Sequence, residues 1–496
     1  MKSTLCVAAI GLMAAAALPA SAQPLNISKV WTHEDATPGQ VSEIPAYDPL
    51  TNTLWVAGVV GVDVLDASTG TLIEHVDVTG YGFVNSVATD NGVAALAVEA
   101  SPDRRLPGKV IFFNTRTRAL VRGVSEVTVG ALPDMLTFTP DGRRLLVANE
   151  ATPNAVADAP YVAPDPAGSV TIIDVRSRSV VATAGLAGVP QYGLDIRNNS
   201  GMDFEPEYIT VAPGGRRAFV TLQEGNAVGI LDLDVNAFTS IVGLGAKDFS
   251  LPGNEIDTVD NDAQVLFRSV AAKGLYMPDS IASFRHRGQT FLVTANEGDF
   301  REDNADRVAA STFGAVAPLN RLRVLKTESS ANNLFAAGAR SFSIWTDTGA
   351  QVYDSGNTLE VEASARGIYD DGRSRDKGVE PEGVAVHTLG GRRYAFIGLE
   401  RTLDSAVAVF DISNPYDVSF VDMIVTPGDL APEGLVVFSN RGRHYLAIAN
   451  ETVGNGAAGT HTTLYRLEPV RHGGHRDDDE DDRDHDDYRD QEEHRH

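Results

Sequence analysis

The sequence predicts an all-β fold: a seven-bladed β-propeller of four-stranded antiparallel blades, with long insertions on one face. Three observations predict it. Short apolar runs rich in Val, Ile, Leu, Phe and Thr recur along the body, broken by Gly, Asp, Asn and Pro, with little sustained helical periodicity. One unit repeats: a Pro-acid step, a strand, a tight turn, a second strand ending in Asn-Glu or its relic, then two further strands. Five long insertions, roughly 151–167, 185–204, 243–277, 298–340 and 355–379, all fall where loops share one face of a propeller.

Taken in order, the chain opens with Lys2, an apolar run over 5–18 and Ala20-Ser21-Ala22, the pattern of an export signal covering 1–22. The propeller is expected over 23–470. Two weaker copies of the unit run from about 43 to 78 and from 85 to about 127. The plainest copy starts at Leu132-Pro133-Asp134, turns at Pro140-Asp141-Gly142 and reaches Asn149-Glu150. It recurs from Glu205-Pro206-Glu207, from Pro278-Asp279, from Glu380-Pro381-Glu382 and from Pro432-Glu433. The last copy offers only three strands before the chain turns acidic. Its fourth is expected from residues 25–31, which would clasp the ring shut. A short helix near 320–325 is expected inside the 298–340 insertion, which could serve as a lid. Residues 471–496 hold 12 acids, 5 Arg and 5 His and almost nothing apolar, so a disordered acidic tail is expected there, solubilising or loosely cation-binding.

The strand order places the loop entering strand one and the loop leaving strand two on the same face. The acids are spaced accordingly: Asp134 to Glu150, Glu207 to Glu224, Asp279 to Glu297, Glu382 to Glu400 and Glu433 to Glu451 are 16, 17, 18, 18 and 18 residues apart. About ten carboxylates should therefore ring one mouth of the channel. A Pro-acid step can cap backbone amides in each blade, a purely structural role. Gathered carboxylates can also hold a hard cation, with Ca²⁺ the best chemical match or another divalent cation in its place. The stretch 254–262 adds Asp257, Asp260 and Asp262 at the short spacing of an oxygen-ligand loop, without EF-hand order. Just before Glu380, Arg373, Arg375 and Lys377 can clamp a phosphate or carboxylate, and Ser374 is a candidate nucleophile with no base assigned by spacing.

Composition narrows the partners. The 496 residues carry 41 Lys+Arg against 67 Asp+Glu, a net charge of −26, with 43% hydrophobic residues and one Cys. Removing the tail and Lys2 still leaves −20 for 23–470. Nucleic acid and anionic membranes are excluded as expected partners because both need excess Lys and Arg. Cys6 leaves with the signal, so no disulfide framework, Cys-rich zinc site or c-type haem is expected. No apolar run reaches spanning length, so an exported, periplasmic or extracellular monomer is expected.

The runs 132–150 (LPDMLTFTPDGRRLLVANE), 204–209 (FEPEYI), 276–281 (YMPDSI), 293–299 (VTANEGD), 338–345 (GARSFSIW), 373–378 (RSRDKG) and 394–401 (YAFIGLER) resemble the choice-of-anchor I family over about residues 28–468. That family is similar to mesenchyme-specific cell-surface glycoproteins linked to biomineralisation, and its bacterial members are often labelled alkaline phosphatase-like. The resemblance implies an exported propeller acting on phosphoesters or calcium. Two departures qualify it. The chain ends in the acidic tail rather than a sorting segment, and the stretch 325–334 lacks the Asp-Gly-Asp loop of many members. Three functions follow as expectations: a metal-dependent phosphoester hydrolase, a non-catalytic Ca²⁺-binding module for a mineral, matrix or partner protein, or a bare interaction scaffold.

Overall fold

Turn chemistry sets the repeat. At Pro140-Asp141-Gly142 the Asp141 carboxylate accepts from Thr139 Oγ1 (2.7 Å) and Arg143 N (3.1 Å). Gly142, at φ 66°, closes the turn with N–H donating to Thr139 O at 2.8 Å. Gly215 does the same toward Ala212 at φ 70°. Such tight turns join antiparallel strands that read as half-buried or buried apolar runs.

The computed structural model describes residues 24–152, 166–198, 204–301, 306–453 and 460–470. The expected signal and the acidic tail lie outside them. Within them, six four-stranded sheets and one five-stranded sheet follow the repeat units, each with four antiparallel strands in simple up-and-down order. Their first strands are Pro45–Asp48, Phe83–Asp90, Pro133–Phe138, Pro206–Val211, Ile281–His286, Pro381–Leu389 and Asp429–Asn440. Each packs beside the next, and the last returns to the first. This is a β-propeller. Its core is a set of apolar layers between neighbouring sheets, such as Phe284, Phe291 and Phe342 against Ile397 and Phe410.

The ring closes as the sequence implied. Leu25–Glu34 runs antiparallel to His461–Pro469, pairing Leu25 with Pro469 and Glu34 with His461, with one irregularity between Lys29 and Trp31. The strand extends three residues beyond the expected 25–31. Its Leu25 joins the buried layer of Tyr465 and Leu467.

The insertions depart from expectation. The segment near 320–325 is not a helix: Arg323–Leu325 is a short strand paired with Arg307–Ala309, and a 3₁₀ turn occupies Ala310–Phe313 instead. An α-helix is found instead at Thr358–Ala365, in the next insertion. Ala246–Asp248, Lys273–Leu275 and Phe335–Ala336 form a further small sheet. Phe249, Ile256, Leu322 and Val324 are buried in a common cluster beside it, so the insertions carry a core of their own. The lid expected from 298–340 is thus a packed cap. Arg340, fully buried, pins it by donating to Asp257 O (3.1 Å), Ser374 O (2.7 Å), Asp376 O (2.9 Å) and Glu360 Oε1 (3.2 Å).

Candidate metal centre at the channel mouth

Strand alternation aims the acids. Asn149 turns into its blade, its amide nitrogen donating to Thr171 Oγ1 at 2.9 Å and its Oδ1 accepting from Gly130 N at 3.0 Å. Asn296 likewise donates to Ser343 Oγ at 2.8 Å. With Asn fixed inward, the Glu that follows points the other way, to the mouth. At the first loop, the residues before four of the prolines are left-handed: Leu132 (φ 42°), Met277 (φ 42°), Glu380 (φ 49°) and Ala431 (φ 51°). This conformation costs a non-glycine residue about 1–2 kcal/mol. Cross-loop bonds offset it at three of them: Glu150 N to Leu132 O (2.9 Å), Gly298 N to Met277 O (3.0 Å) and Glu400 N to Glu380 O (2.9 Å). The first strand then bulges, between Pro133 and Leu136, Pro206 and Ile209, Pro381 and Val384, and Pro432 and Leu435. Each bulge releases the acid after proline from the ladder and turns it to the channel.

The result is a cavity of about 230 Å³ lined by Glu43, Asp134, Glu207, Asp279, Glu382, Glu433 and Glu451, with Arg104 at its side. Among the described residues, three carboxylate groups close to within 4.8 Å: Asp134, Glu150 and Glu207; Asp279, Glu297 and Glu382; Glu297, Glu380 and Glu400. Glu224, also predicted, is buried beside them, and its Oε2 has no hydrogen-bond partner.

Crowding and burial hold these groups toward the neutral form. Burial pushes Glu43 up to about 8, helped by Glu451 and Asp134, and Glu400 to about 8, helped by Glu297. Burial lifts Asp134 to about 7, and Glu150 to about 7 with Asp134 adding repulsion. Glu207, Asp279, Glu382 and Glu433 are driven well above the usual range, first by burial and then by their neighbours' charge. Protonation or a cation must relieve such a ring.

The third group already has its cation. Lys377 Nζ sits 2.7 Å from Glu297 Oε1 and 2.8 Å from Glu380 Oε2. Arg373 pairs with Glu380 as well, Nε to Oε1 at 2.8 Å. Although Glu380 is buried, Lys377 and Arg373 hold it below the usual carboxylate range. The group of Asp279, Glu297 and Glu382 shares that Glu297, whose Oε2 also accepts from Gln223 Nε2 at 2.9 Å, but Glu382 is 8% exposed and its Oε2 lies buried with no hydrogen-bond donor. Among the described residues, the cation nearest to Asp134, Glu150 and Glu207 is Arg104, 3.9 Å from Glu150, which also accepts from Thr152 Oγ1.

The expected phosphate clamp is dispersed. Arg375 turns to Asp260, Nε to Oδ2 at 2.9 Å. Ser374 is fully buried and faces Tyr369, Oγ to OH at 3.1 Å, away from the cavity lining. The 254–262 stretch does not converge on one point. Asp257 accepts from Val259 N and Leu266 N, both at 3.1 Å, and Arg321 Nη2 reaches Asp260 at 2.8 Å. Asp262 accepts from Gln264 N at 3.1 Å. Sequence reasoning missed Glu43, which precedes its Ile44-Pro45 step instead of following the proline, and Arg104, which no repeat marks.

The choice-of-anchor I domain model matches residues 43–415. The chain belongs to the choice-of-anchor I family. No curated protein matches it. Among solved structures, this choice-of-anchor I propeller is similar to a chain of the Kuenenia stuttgartiensis hydrazine synthase, at 13% identity and TM-score 0.50, over 88% of this chain and 98% of that one. It is similar also to a chain of the mitotic checkpoint complex, at 12% identity and TM-score 0.50, over 94% and 99%. At such identities the likeness concerns the fold alone. Among the described residues, no helix is long and apolar enough to cross a membrane.

Proposed function

We propose that this choice-of-anchor I propeller is an exported protein that binds a divalent cation, Ca²⁺ by donor chemistry, at the carboxylate mouth. The observation that carries the reading is the buried, donorless Oε2 of Glu382 within the Asp279–Glu297–Glu382 group. A buried carboxylate oxygen without a partner is costly, and a cation is the ligand that removes the cost. The donors are all oxygen, which suits a hard ion rather than a soft one. Asp134, Glu150 and Glu207 offer a second position of the same kind. Export rests on the 1–22 leader and on the family resemblance.

Phosphoester hydrolysis is the alternative that the resemblance implies. A bound cation would polarise a phosphoryl oxygen and activate water. Arg104, at the cavity edge, lies 3.8 Å from Glu99 and 3.9 Å from Glu150 and can still meet a phosphate, since Arg373, Arg375 and Lys377 are held in closer carboxylate pairs. A non-catalytic scaffold for mineral, matrix or partner protein needs only the ion.

Calorimetric titration with Ca²⁺, alongside melting temperature and turnover of a chromogenic phosphate ester, tests the reading. Binding that raises the melting temperature and is lost in Glu382→Gln supports it. Equal Ca²⁺ response in wild type and Glu382→Gln overturns the site. Chelator-sensitive turnover would favour the hydrolase, and binding without turnover the scaffold.

A further inference from the structure

On the face opposite the mouth, the seam between the last and first sheets carries a feature at odds with a chain of net charge −26. A groove of about 550 Å³ is lined by Lys29, Arg441, Arg443 and Arg466, with Phe438 and Tyr445 as its apolar wall. Arg466 pairs with Glu468. Among the described residues, Lys29, Arg441 and Arg443 have no carboxylate within ion-pair distance, and all three are exposed. An adjoining cleft shares Arg443 and Arg466 and extends along Leu467, Glu468 and Pro469. The last strand therefore delivers the chain to the groove: Val470 N donates to Pro24 O at 3.2 Å, beside the cleft.

The chain continues through Arg471-His-Gly-Gly-His-Arg476 and then turns acidic. Residues 477–482 are six consecutive acids, and Gly473-Gly474 precede them. The seven residues from Val470 to Asp477 reach up to roughly 23 Å at about 3.3 Å per residue.

We propose that the acidic run 477–482 docks in the groove of Lys29, Arg441, Arg443 and Arg466. A free polyanion must approach a molecule that is itself strongly anionic, and must give up its translational freedom. The tethered run does neither: its effective concentration near the groove is of millimolar order. Its six carboxylates complement the basic wall of the groove. The contact leaves the mouth open and draws part of the tail's charge away from it.

The test is zero-length carbodiimide cross-linking of the full chain, which joins an amine to a carboxylate in contact, read by peptide mass mapping. Lys29 is the amine in the groove lining, and Lys326, exposed on the mouth-side insertion, is the comparator. In 20 mM salt, Lys29 should link to 477–482 within the monomer at least fivefold more than Lys326 does. The link should fall at least fivefold in 0.5 M salt, where charges are screened beyond a few ångströms. It should fall likewise in Arg441→Glu with Arg443→Glu, and in Asp477→Asn with Asp478→Asn and Asp479→Asn. Equal linking of Lys29 and Lys326, links found only between two copies, or no Lys29 link would overturn the proposal. So would retention of both the native and the tail-neutralised chain on a polyphosphate resin with equal strength, which would assign the groove to an external polyanion.

Discussion

Lys377 and Glu297 form a buried ion pair, Nζ to Oε1 at 2.7 Å, that fills one of the three carboxylate groups at the mouth. The lysine comes from an insertion and the glutamate from the end of a second strand. The pair divides the ring: Glu297, Glu380 and Glu400 are neutralised from within, Asp279 and Glu382 share the paired Glu297, and Asp134, Glu150 and Glu207 have no lysine among them. Lys377→Met is expected to destabilise the protein by about 3–5 kcal/mol, the range for removing one partner of a buried pair. Added Ca²⁺ should restore part of the loss, because it can replace the ammonium that Glu297 and Glu380 share, with Arg373 still on Glu380. Melting curves with and without Ca²⁺ decide this. A variant destabilised equally in both would show that the vacated group takes no ion.

The pH dependence follows from the raised carboxyls. Glu43 and Glu400 bind protons up to about pH 8 when folded but only to about pH 4.5 when unfolded. Asp134 holds its proton to about 7 against 3.8. The folded state thus binds more protons between those limits, and stability falls as pH rises from about 4 to 8. The ion-free protein should melt at a lower temperature at pH 8.5 than at pH 5.5. Ca²⁺ competes with the same protons, so its stabilising effect should grow over that interval. An ion-free melting temperature that rises from pH 5.5 to 8.5 would contradict the sign.

Arg340 holds the cap by four donated bonds, one of them to the carbonyl of Ser374. Lysine cannot reproduce that planar fork. Arg340→Lys should cost about 3–5 kcal/mol by leaving Glu360, fully buried, poorly matched. Ser374→Ala removes only the bond to Tyr369 and should cost about 0.5–1.5 kcal/mol. Any phosphoester turnover should survive Ser374→Ala within about twofold, because the hydroxyl does not line the cavity. Steady-state rates on both variants check it, and loss of turnover in a folded Ser374→Ala would restore the serine as nucleophile.

The repeat was legible because its physical causes are local. Pro-acid steps, Gly turns and Asn-Glu strand ends act within twenty residues, so Asp134, Glu150 and their counterparts could be placed on one face from spacing alone. Lys377 reads as a phosphate clamp in the sequence because its partner Glu297 lies 80 residues away and nothing local marks the pair. The same holds for Arg375 with Asp260 and for Arg301 with Glu205. The small core of Phe249, Leu322 and Val324 stayed hidden because its strands are two or three residues long, too short for periodicity to show.

Ring closure gives the last prediction. Strand Leu25–Glu34 is the outermost strand of the last sheet, and its ladder with His461–Pro469 ties the two ends of the domain together. Leu25 is buried, and Trp31 donates Nε1–H to Ala67 O of the first sheet at 3.2 Å. The indole also stacks so close to Gly70 that a Cβ there would meet it at 2.6 Å. Buried Leu25 contributes about 1.5–3 kcal/mol, and half-buried Ile27 and Trp31 each somewhat less. Deleting residues 23–32 removes Leu25, Ile27 and Trp31 together and leaves His461–Pro469 an open edge. A loss of about 5 kcal/mol or more and a tendency to self-associate are expected. Gly70→Ala, which strains a residue at φ 72° and crowds the indole, should weaken the same seam by about 1–3 kcal/mol without exposing an edge. Melting temperature and sedimentation of the two variants separate the effects. A deletion that melts like the intact chain would mean the ring does not depend on this strand.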